Sequence, residues 1–467
     1  SSWIRAKSLE GCCSLPPSIA STLPMPAARK RPAAVAPVPR KRPAAVAATP
    51  AAAAGGAGYG TEFFDRPVDR DAVFSVKHGL RAVIFGPEAA ASIPLWVADM
   101  DLPCAPEISQ ALKRRIEHST FGYTFQPSEM WAAVQTWLLE EHGWQVNEEM
   151  FVFCASVVTA VAACLWAFTS PDDAVLVMTP LYEPLQKAVE GAGRKLKKHE
   201  LAMSDGRYCL ERERLRRDLQ GCKVLIFCNP HNPGGRSWAA DELRMVAELC
   251  KQESVLIVSD EIWSDWHLFG NRHLPIARHA SEGQHIVTLM APTKTWNLAG
   301  LHMSYLIIED AAMRARYLSA IDYAFLHYGG TFASEGMLAA YSLGRPWLHG
   351  AKRYVEDQLS HCVAVLREHC SPEVVPLLPE ATYLLWLDCT GLRVPNPARF
   401  FQEEASVLLS AGSDFGGSTT AHFARLNAAA PRATLDEALA RIVAAVKRWR
   451  DRRADVQKAL EPDVAET

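Results

Sequence analysis

Four short apolar runs, spaced by segments of helical periodicity, constrain this 467-residue chain most strongly. They are Val175-Leu176-Val177-Met178, Val224-Leu225-Ile226-Phe227, Val255-Leu256-Ile257-Val258 and Ile286-Val287-Thr288-Leu289. Each is nearly continuous in apolar residues rather than alternating, the pattern of a strand covered on both faces. Helix-like spacing appears over residues 112–116, 131–139 and 243–250. The third of these helices is expected to be capped by Ser237, with Asp241 and Glu242 in its early turns. Strands alternating with helices predict an α/β fold whose central sheet is mostly parallel and flanked by helices. A further strand is expected at Tyr383-Leu384-Leu385-Trp386-Leu387, inside a mixed segment that predicts a smaller α+β domain.

The domain boundaries follow from changes in texture. Residues 1–58 are rich in Ala and Pro, and the octapeptide Arg29-Lys30-Arg31-Pro32-Ala33-Ala34-Val35-Ala36 recurs as Arg40-Lys41-Arg42-Pro43-Ala44-Ala45-Val46-Ala47. Such a segment cannot bury enough surface to offset its chain entropy, so a disordered tail is expected. Its basic triplets leave nuclear or organellar targeting and a polyanion contact open. After it we expect an N-terminal arm (59–105) joining the small domain, a large domain (106–340), a small C-terminal domain (341–450) and a charged tail (451–467).

Composition narrows the class. At 49% hydrophobic and 22% charged, the chain has material for a sizeable core, and a net charge of -3 gives the globular body no nucleic-acid footprint. None of its twelve cysteines forms a C-x-x-C pair, which favours reduced thiols in a cytoplasmic setting over a disulfide scaffold or a metal site. The apolar stretch 151–168 is long enough to raise the question of a membrane span. Ser156 and Thr159 interrupt it and Pro171-Asp172-Asp173 closes it, so a buried strand running into a buried helix is expected. No secretory signal or membrane association is expected.

Ligands gather at the carboxyl ends of strands in open α/β sheets. Three polar residues follow three successive apolar runs there: Asn232 in Asn229-Pro230-His231-Asn232-Pro233-Gly234-Gly235, Asp260 in Ser259-Asp260-Glu261-Ile262, and Lys294 in Thr293-Lys294-Thr295-Trp296-Asn297-Leu298-Ala299-Gly300. An amide, an acid and a lysine at one rim suit an aromatic aldehyde cofactor with a pyridine nitrogen. Taken singly, each is more often a cap, a salt-bridge partner or a solvated surface group.

This ordered set resembles the fold-type I enzymes that use pyridoxal 5′-phosphate (PLP). Within them it is similar to the class I/II aminotransferases and to their C–S lyase branch, cystathionine β-lyases of the MalY/PatB type. The branch signals are Trp96-Val97-Ala98-Asp99-Met100-Asp101, Phe121-Gly122-Tyr123-Thr124, Val407-Leu408-Leu409-Ser410-Ala411-Gly412, Phe415-Gly416 and Arg425-Leu426-Asn427-Ala428-Ala429-Ala430-Pro431-Arg432. The resemblance covers residues 60–450 and makes the large domain PLP-binding.

The resemblance implies roles. Lys294 would be the Schiff-base lysine and the acid/base at the substrate α-carbon. Asp260 would pair with the pyridinium, Asn232 would contact the ring hydroxyl and Tyr182 would stack on the ring. Arg425 would grip the substrate carboxylate. The phosphate would lie on the backbone of Val157 and Val158 at a helix N-terminus. Thr293, His302 and Tyr123 would add contacts, Tyr123 across a homodimer interface. The sequence departs from the family at Ala155, where Gly is common, at Ala291 and Thr293, where Ser is common, at Trp263 in place of His or Tyr, and at His302 in place of Gln or Arg. The expected activity is a β-lyase that cleaves L-cysteine conjugates or cystathionine through a Lys294 aldimine to a thiol, pyruvate and ammonia. A PLP-dependent aminotransferase and a PLP-binding regulatory protein without turnover are the alternatives.

Overall fold

The computed structural model describes residues 58–460, with side chains to residue 457. The expected disordered tail and its two basic repeats lie outside the described residues, apart from Gly58. The four apolar runs fall in one seven-stranded sheet. Its strands are β1 (Phe151–Cys154), β2 (Ala174–Thr179), β3 (Lys195–Glu200), β4 (Cys222–Cys228), β5 (Leu256–Asp260), β6 (Ile286–Met290) and β7 (Ser304–Ile307). They lie in the order β1-β7-β6-β5-β4-β2-β3. Only β7 runs against its neighbours.

Two-sided burial explains why the runs do not alternate. Val224, Ile226 and Cys228 of β4 pack into a core shared with the helix Val157–Phe168. Leu225 and Phe227 pack on the opposite face with the helix Ala240–Gln252. Each such side chain is worth about 1.5–3 kcal/mol of burial, so both faces favour apolar residues at every position. The apolar stretch 151–168 divides into β1 and the helix Val157–Phe168, as expected. Among the described residues no helix is long and apolar enough to cross a membrane.

A second sheet contains β8 (Val375–Leu377), β9 (Leu384–Asp388), β10 (Ser410–Ala411) and β11 (Phe423–Asn427). It is antiparallel in the order β8-β9-β11-β10. The helices Arg345–Cys370 and Arg432–Leu460 share a core with it through Leu359, Leu366, Leu384, Leu426, Leu435 and Ile442. The N-terminal arm joins by a parallel pairing of Ile93–Pro94 with Val407–Leu408.

Two local expectations are corrected. Ser237 does not cap the helix after β4: that helix starts at Ala240, where the Glu242 carboxylate reaches back 2.8 Å to the Ala239 N–H. The Ser237 N–H donates instead to Glu380, and its hydroxyl has no partner. The last helix also continues past residue 451 to Leu460. Residues 451–457 stay exposed, with Arg452 pairing with Glu404 at 2.9 Å just after Arg450 Nε donates to Glu373 at 3.0 Å.

The Gly234-Gly235 pair has a steric origin. Gly235 lies at φ +64°, and a Cβ there would run into Pro379. We predict that Gly235→Ala destabilises the chain by about 1–3 kcal/mol. Thermal denaturation tests this, and an unchanged melting temperature would contradict it.

Candidate active site

Because β4, β5 and β6 are parallel, their carboxyl ends share one rim. Asp260 is the last residue of β5 and lies opposite Cys228 and Leu289. Lys294 sits after β6 in a single helical turn, Pro292–Thr295. Asn232 lies in the loop after β4. That loop is fixed by Asn229 N–H donating to the Asp260 carbonyl at 2.9 Å and by His231 N–H donating to the Arg236 carbonyl at 2.8 Å. Arg236 in turn forks onto both oxygens of Glu242 at 2.8 Å. Arg425 comes from the other sheet, in β11, and its Nη1 donates to Asn232 Oδ1 at 2.9 Å. Both sheets therefore contribute to one site.

Three charged groups there are short of partners. Burial pushes the Asp260 carboxyl up to about 7, against the Ile262 N–H and the Lys294 charge, which favour the carboxylate. Burial brings the Lys294 ammonium down to about 8, with Asp99 opposing, Arg425 reinforcing and Asp260 opposing. Burial lowers the Arg425 guanidinium to about 10, and its Nε is buried without a hydrogen-bond partner. A buried acid that lacks a cation beside a buried guanidinium with a free donor fits a pyridinium cofactor and a carboxylate substrate. The Asn232 oxygen is turned to Arg425, which leaves the amide N–H groups to serve a cofactor oxygen. Tyr182 is 38% exposed and lies within electrostatic reach of Arg425 and Asp260, so its ring has an open face.

The anion cradle is built by a cap. Ser156 Oγ accepts from Thr159 N–H at 3.1 Å, and Val157 and Val158 open the helix ahead of it. First-turn amides of a helix have no intrahelical acceptor, which suits a phosphate. Ala155 and Ala291 precede the helices at residues 157 and 292, and neither side chain offers a hydrogen bond. Thr293 is half-buried in the Lys294 turn. The structure places two expected contacts at the surface of the chain. The Tyr123 side chain is fully exposed, and His302 is exposed in a left-handed turn at φ 51°. Trp263 is buried, with Lys294 Nζ 5.5 Å from its ring centroid.

Sequence reasoning missed the residues that fold the backbone of 96–101 over Lys294. Lys294 Nζ donates to the Ala98 carbonyl at 2.6 Å, and Tyr383 Oη donates to the same oxygen at 3.0 Å. Asn427 Nδ2 donates to the carbonyls of Val97 (2.7 Å) and Asp99 (2.6 Å). Asn297 accepts from Met100 N–H at 2.9 Å and donates to the Met100 carbonyl at 3.0 Å. Ser410 Oγ donates to the Trp96 carbonyl at 2.7 Å, and Arg425 Nη2 donates to it at 3.3 Å. Below the strap, fully buried Lys77 pairs with Asp101 at 2.6 Å, and Arg70 bridges Asp99 (2.7 Å) and Asp101 (2.9 Å). Tyr383 lies in an apolar run and reads as core. Lys77 has no local signal of burial.

The Asp260 shift has a consequence for stability. A carboxyl whose folded pKa lies above its unfolded value stabilises the fold at low pH and loses that contribution as pH rises to the folded value. We predict that the cofactor-free chain loses stability relative to Asp260→Asn between about pH 4 and 7, by about 1.4 kcal/mol per unit of displaced pKa. Denaturant unfolding across that range checks this, and parallel pH profiles for the two proteins would contradict it.

The comparisons with known proteins agree with this geometry. The family described as Aminotransferase class I and II matches residues 92–442. Cystathionine beta-lyase PatB of Bacillus subtilis is 39% identical over 388 residues, covering 82% of this chain and 99% of PatB. Protein MalY of Escherichia coli is 31% identical, covering 82% of this chain and 98% of MalY. The crystal structure of cystalysin from Treponema denticola, which contains a pyridoxal 5′-phosphate cofactor, superposes with a TM-score of 0.78 at 30% identity, over 82% of this chain and 98% of cystalysin. The chain therefore belongs to the class I and II aminotransferase family.

Proposed function

We propose that this chain is a PLP-dependent carbon–sulfur β-lyase that cleaves L-cysteine conjugates or cystathionine to a thiol, pyruvate and ammonia. The observation that carries the reading is the setting of Lys294. Its amine is lowered to about 8 and held on the Ala98 carbonyl, between an acid that lacks a cation and a guanidinium with a free donor. The choice of lyase over aminotransferase rests on the likeness to PatB and MalY.

The cofactor, when bound, supplies an aldehyde that condenses with amines and a ring that takes up the electron pair left by the α-proton. Asp260 would keep the ring nitrogen protonated, and Asn232 would donate to the ring oxygen. Tyr182 would cover one ring face. The amides of Val157 and Val158, with Thr293, would hold the phosphate. Arg425 would orient the substrate through its carboxylate, since Asn232, Trp96 and Ser410 already fix the guanidinium plane. Lys294 Nζ would take the α-proton. The ammonium so formed would be placed to protonate the departing thiolate, so that substrate and water together would give thiol, pyruvate and ammonia.

We also propose a homodimer. Phe121, Tyr123 and Phe125 are exposed, and the bridge between Thr124 and Gly329 joins this segment to the one carrying exposed Tyr323, Phe325 and Tyr328. A second copy over this patch would bury it and bring Tyr123 to the neighbouring site, where His302 would complete the contacts. The large domain (106–340) and the small domain (arm 59–105 with 341–450) remain our division of the chain. Cys154, Cys164, Cys250 and Cys362 are buried free thiols, which suits the cytoplasm.

Purified holoenzyme given L-cystathionine should release pyruvate, ammonia and thiol in equal amounts. Lys294→Ala should lower that rate by about 10²–10⁴-fold or more. Turnover that requires an oxo-acid co-substrate and releases no thiol would make the chain an aminotransferase. Full cofactor occupancy without turnover would favour the binding protein.

A further inference from the structure

Lys294 has to reach the cofactor's aldehyde carbon and the substrate's α-carbon, so its placement matters to a fraction of an ångström. It is carried by a single helical turn, Pro292–Thr295, followed by Asn297 at φ 59°. One turn has little stability of its own, and its position must be imposed from outside.

Two hydrogen bonds tie it to the turn that follows β5, one part-buried and one buried. Trp266 Nε1 donates to the Lys294 carbonyl at 2.8 Å. The Thr295 hydroxyl donates to Asp265 Oδ2 at 2.7 Å. The other Asp265 oxygen accepts from Trp137 Nε1 and His142 Nε2, both at 2.9 Å, so the carboxylate is anchored to the helix Ser128–His142. Asp265 and Thr295 are both buried.

Asp265 and Trp266 belong to the turn that leaves β5 directly after Asp260. That turn is closed by Ser264 N–H on the Glu261 carbonyl (3.0 Å) and Trp266 N–H on the Trp263 carbonyl (2.9 Å). Glu261 fixes its base by accepting from Ser259 Oγ (2.8 Å) and Ile276 N–H (3.1 Å) and pairing with His273 (2.8 Å). One short segment thus carries the acid at one end and, at the other, the groups that hold the lysine turn.

We propose that Asp265 and Thr295 are a positioning pair whose buried hydrogen bond fixes Lys294 relative to Asp260 and so sets how well the lysine amine reaches the α-carbon. This rests on the reading of Lys294 as the proton-transferring amine. Neither residue touches substrate. Thr295→Val keeps the volume and removes the donor, while Thr295→Ser keeps the donor.

The test uses PLP-loaded enzyme. The readouts are kcat, KM and the isotope effect with α-deuterated L-cystathionine, alongside thermal melting. For Thr295→Val the expected result is a kcat lower by about tenfold or more, with KM within about twofold and a larger isotope effect, because proton transfer alone is impaired. Thr295→Ser restores both values, and Asp265→Asn moves them in the same direction as Thr295→Val. Unchanged kcat and isotope effect in Thr295→Val overturn the proposal, and so does a lowered melting temperature with wild-type kinetics below it. An inactive parent enzyme would overturn the functional reading and this proposal with it. An active parent matched by Thr295→Val would overturn the positioning pair alone.

Discussion

Residues 96–101 form a strap on which the rest of the site depends. Their backbone carbonyls are gripped by Tyr383, Asn427, Ser410 and Arg425, which lie in or beside the four-stranded sheet, and by Lys294 and Asn297 from the segment after β6. The strap is fixed from below by a knot of buried charge, with Lys77 and Arg70 set against Asp99 and Asp101. Each acid has more than one partner, Asp101 taking Lys77, Arg70 and His78 and Asp99 taking Arg70 and Lys77, so the knot holds as a network. The N-terminal arm is thus part of the active site's foundation: it supplies the cations that hold the strap against the lysine.

The electrostatics of the site follow from what is left unmatched. Asp265 shows the opposite case, a buried carboxylate satisfied by Trp137, His142 and Thr295, whose donors hold its carboxyl well below the usual range despite burial. At the rim, burial instead shifts Asp260 upward and Lys294 and Arg425 downward. Each displaced group gains when a partner of opposite charge arrives, so binding energy is concentrated where the chemistry is to occur.

The central strands were legible because two-sided burial leaves an unbroken apolar run, and the rim residues were legible because parallel strands end together. What stayed hidden depends on long-range pairing. Tyr383 sits among Leu384, Leu385 and Trp386 and differs from core only by a hydroxyl that finds Ala98, 285 positions away. Lys77 looks like a surface lysine until Asp99 and Asp101 fold against it. Ser237 had the chemistry of a cap, but Glu242 reached the helix start first. The charged residues 451–457 are exposed, as their composition suggests, and what the sequence does not show is that they continue the last helix, with Arg452 pairing with Glu404. Tyr123 is fully exposed in this chain, and its expected role depends on what a second copy brings.

The central claim is that Lys294 is the amine that joins the cofactor. The most direct measurement is the visible absorbance of the purified protein before and after borohydride, followed by peptide mapping of the reduced adduct. The account predicts a visible band with added PLP, its loss on reduction, and the label on the peptide that carries Lys294. A protein that shows no band with added PLP, or a label on another lysine, would contradict it.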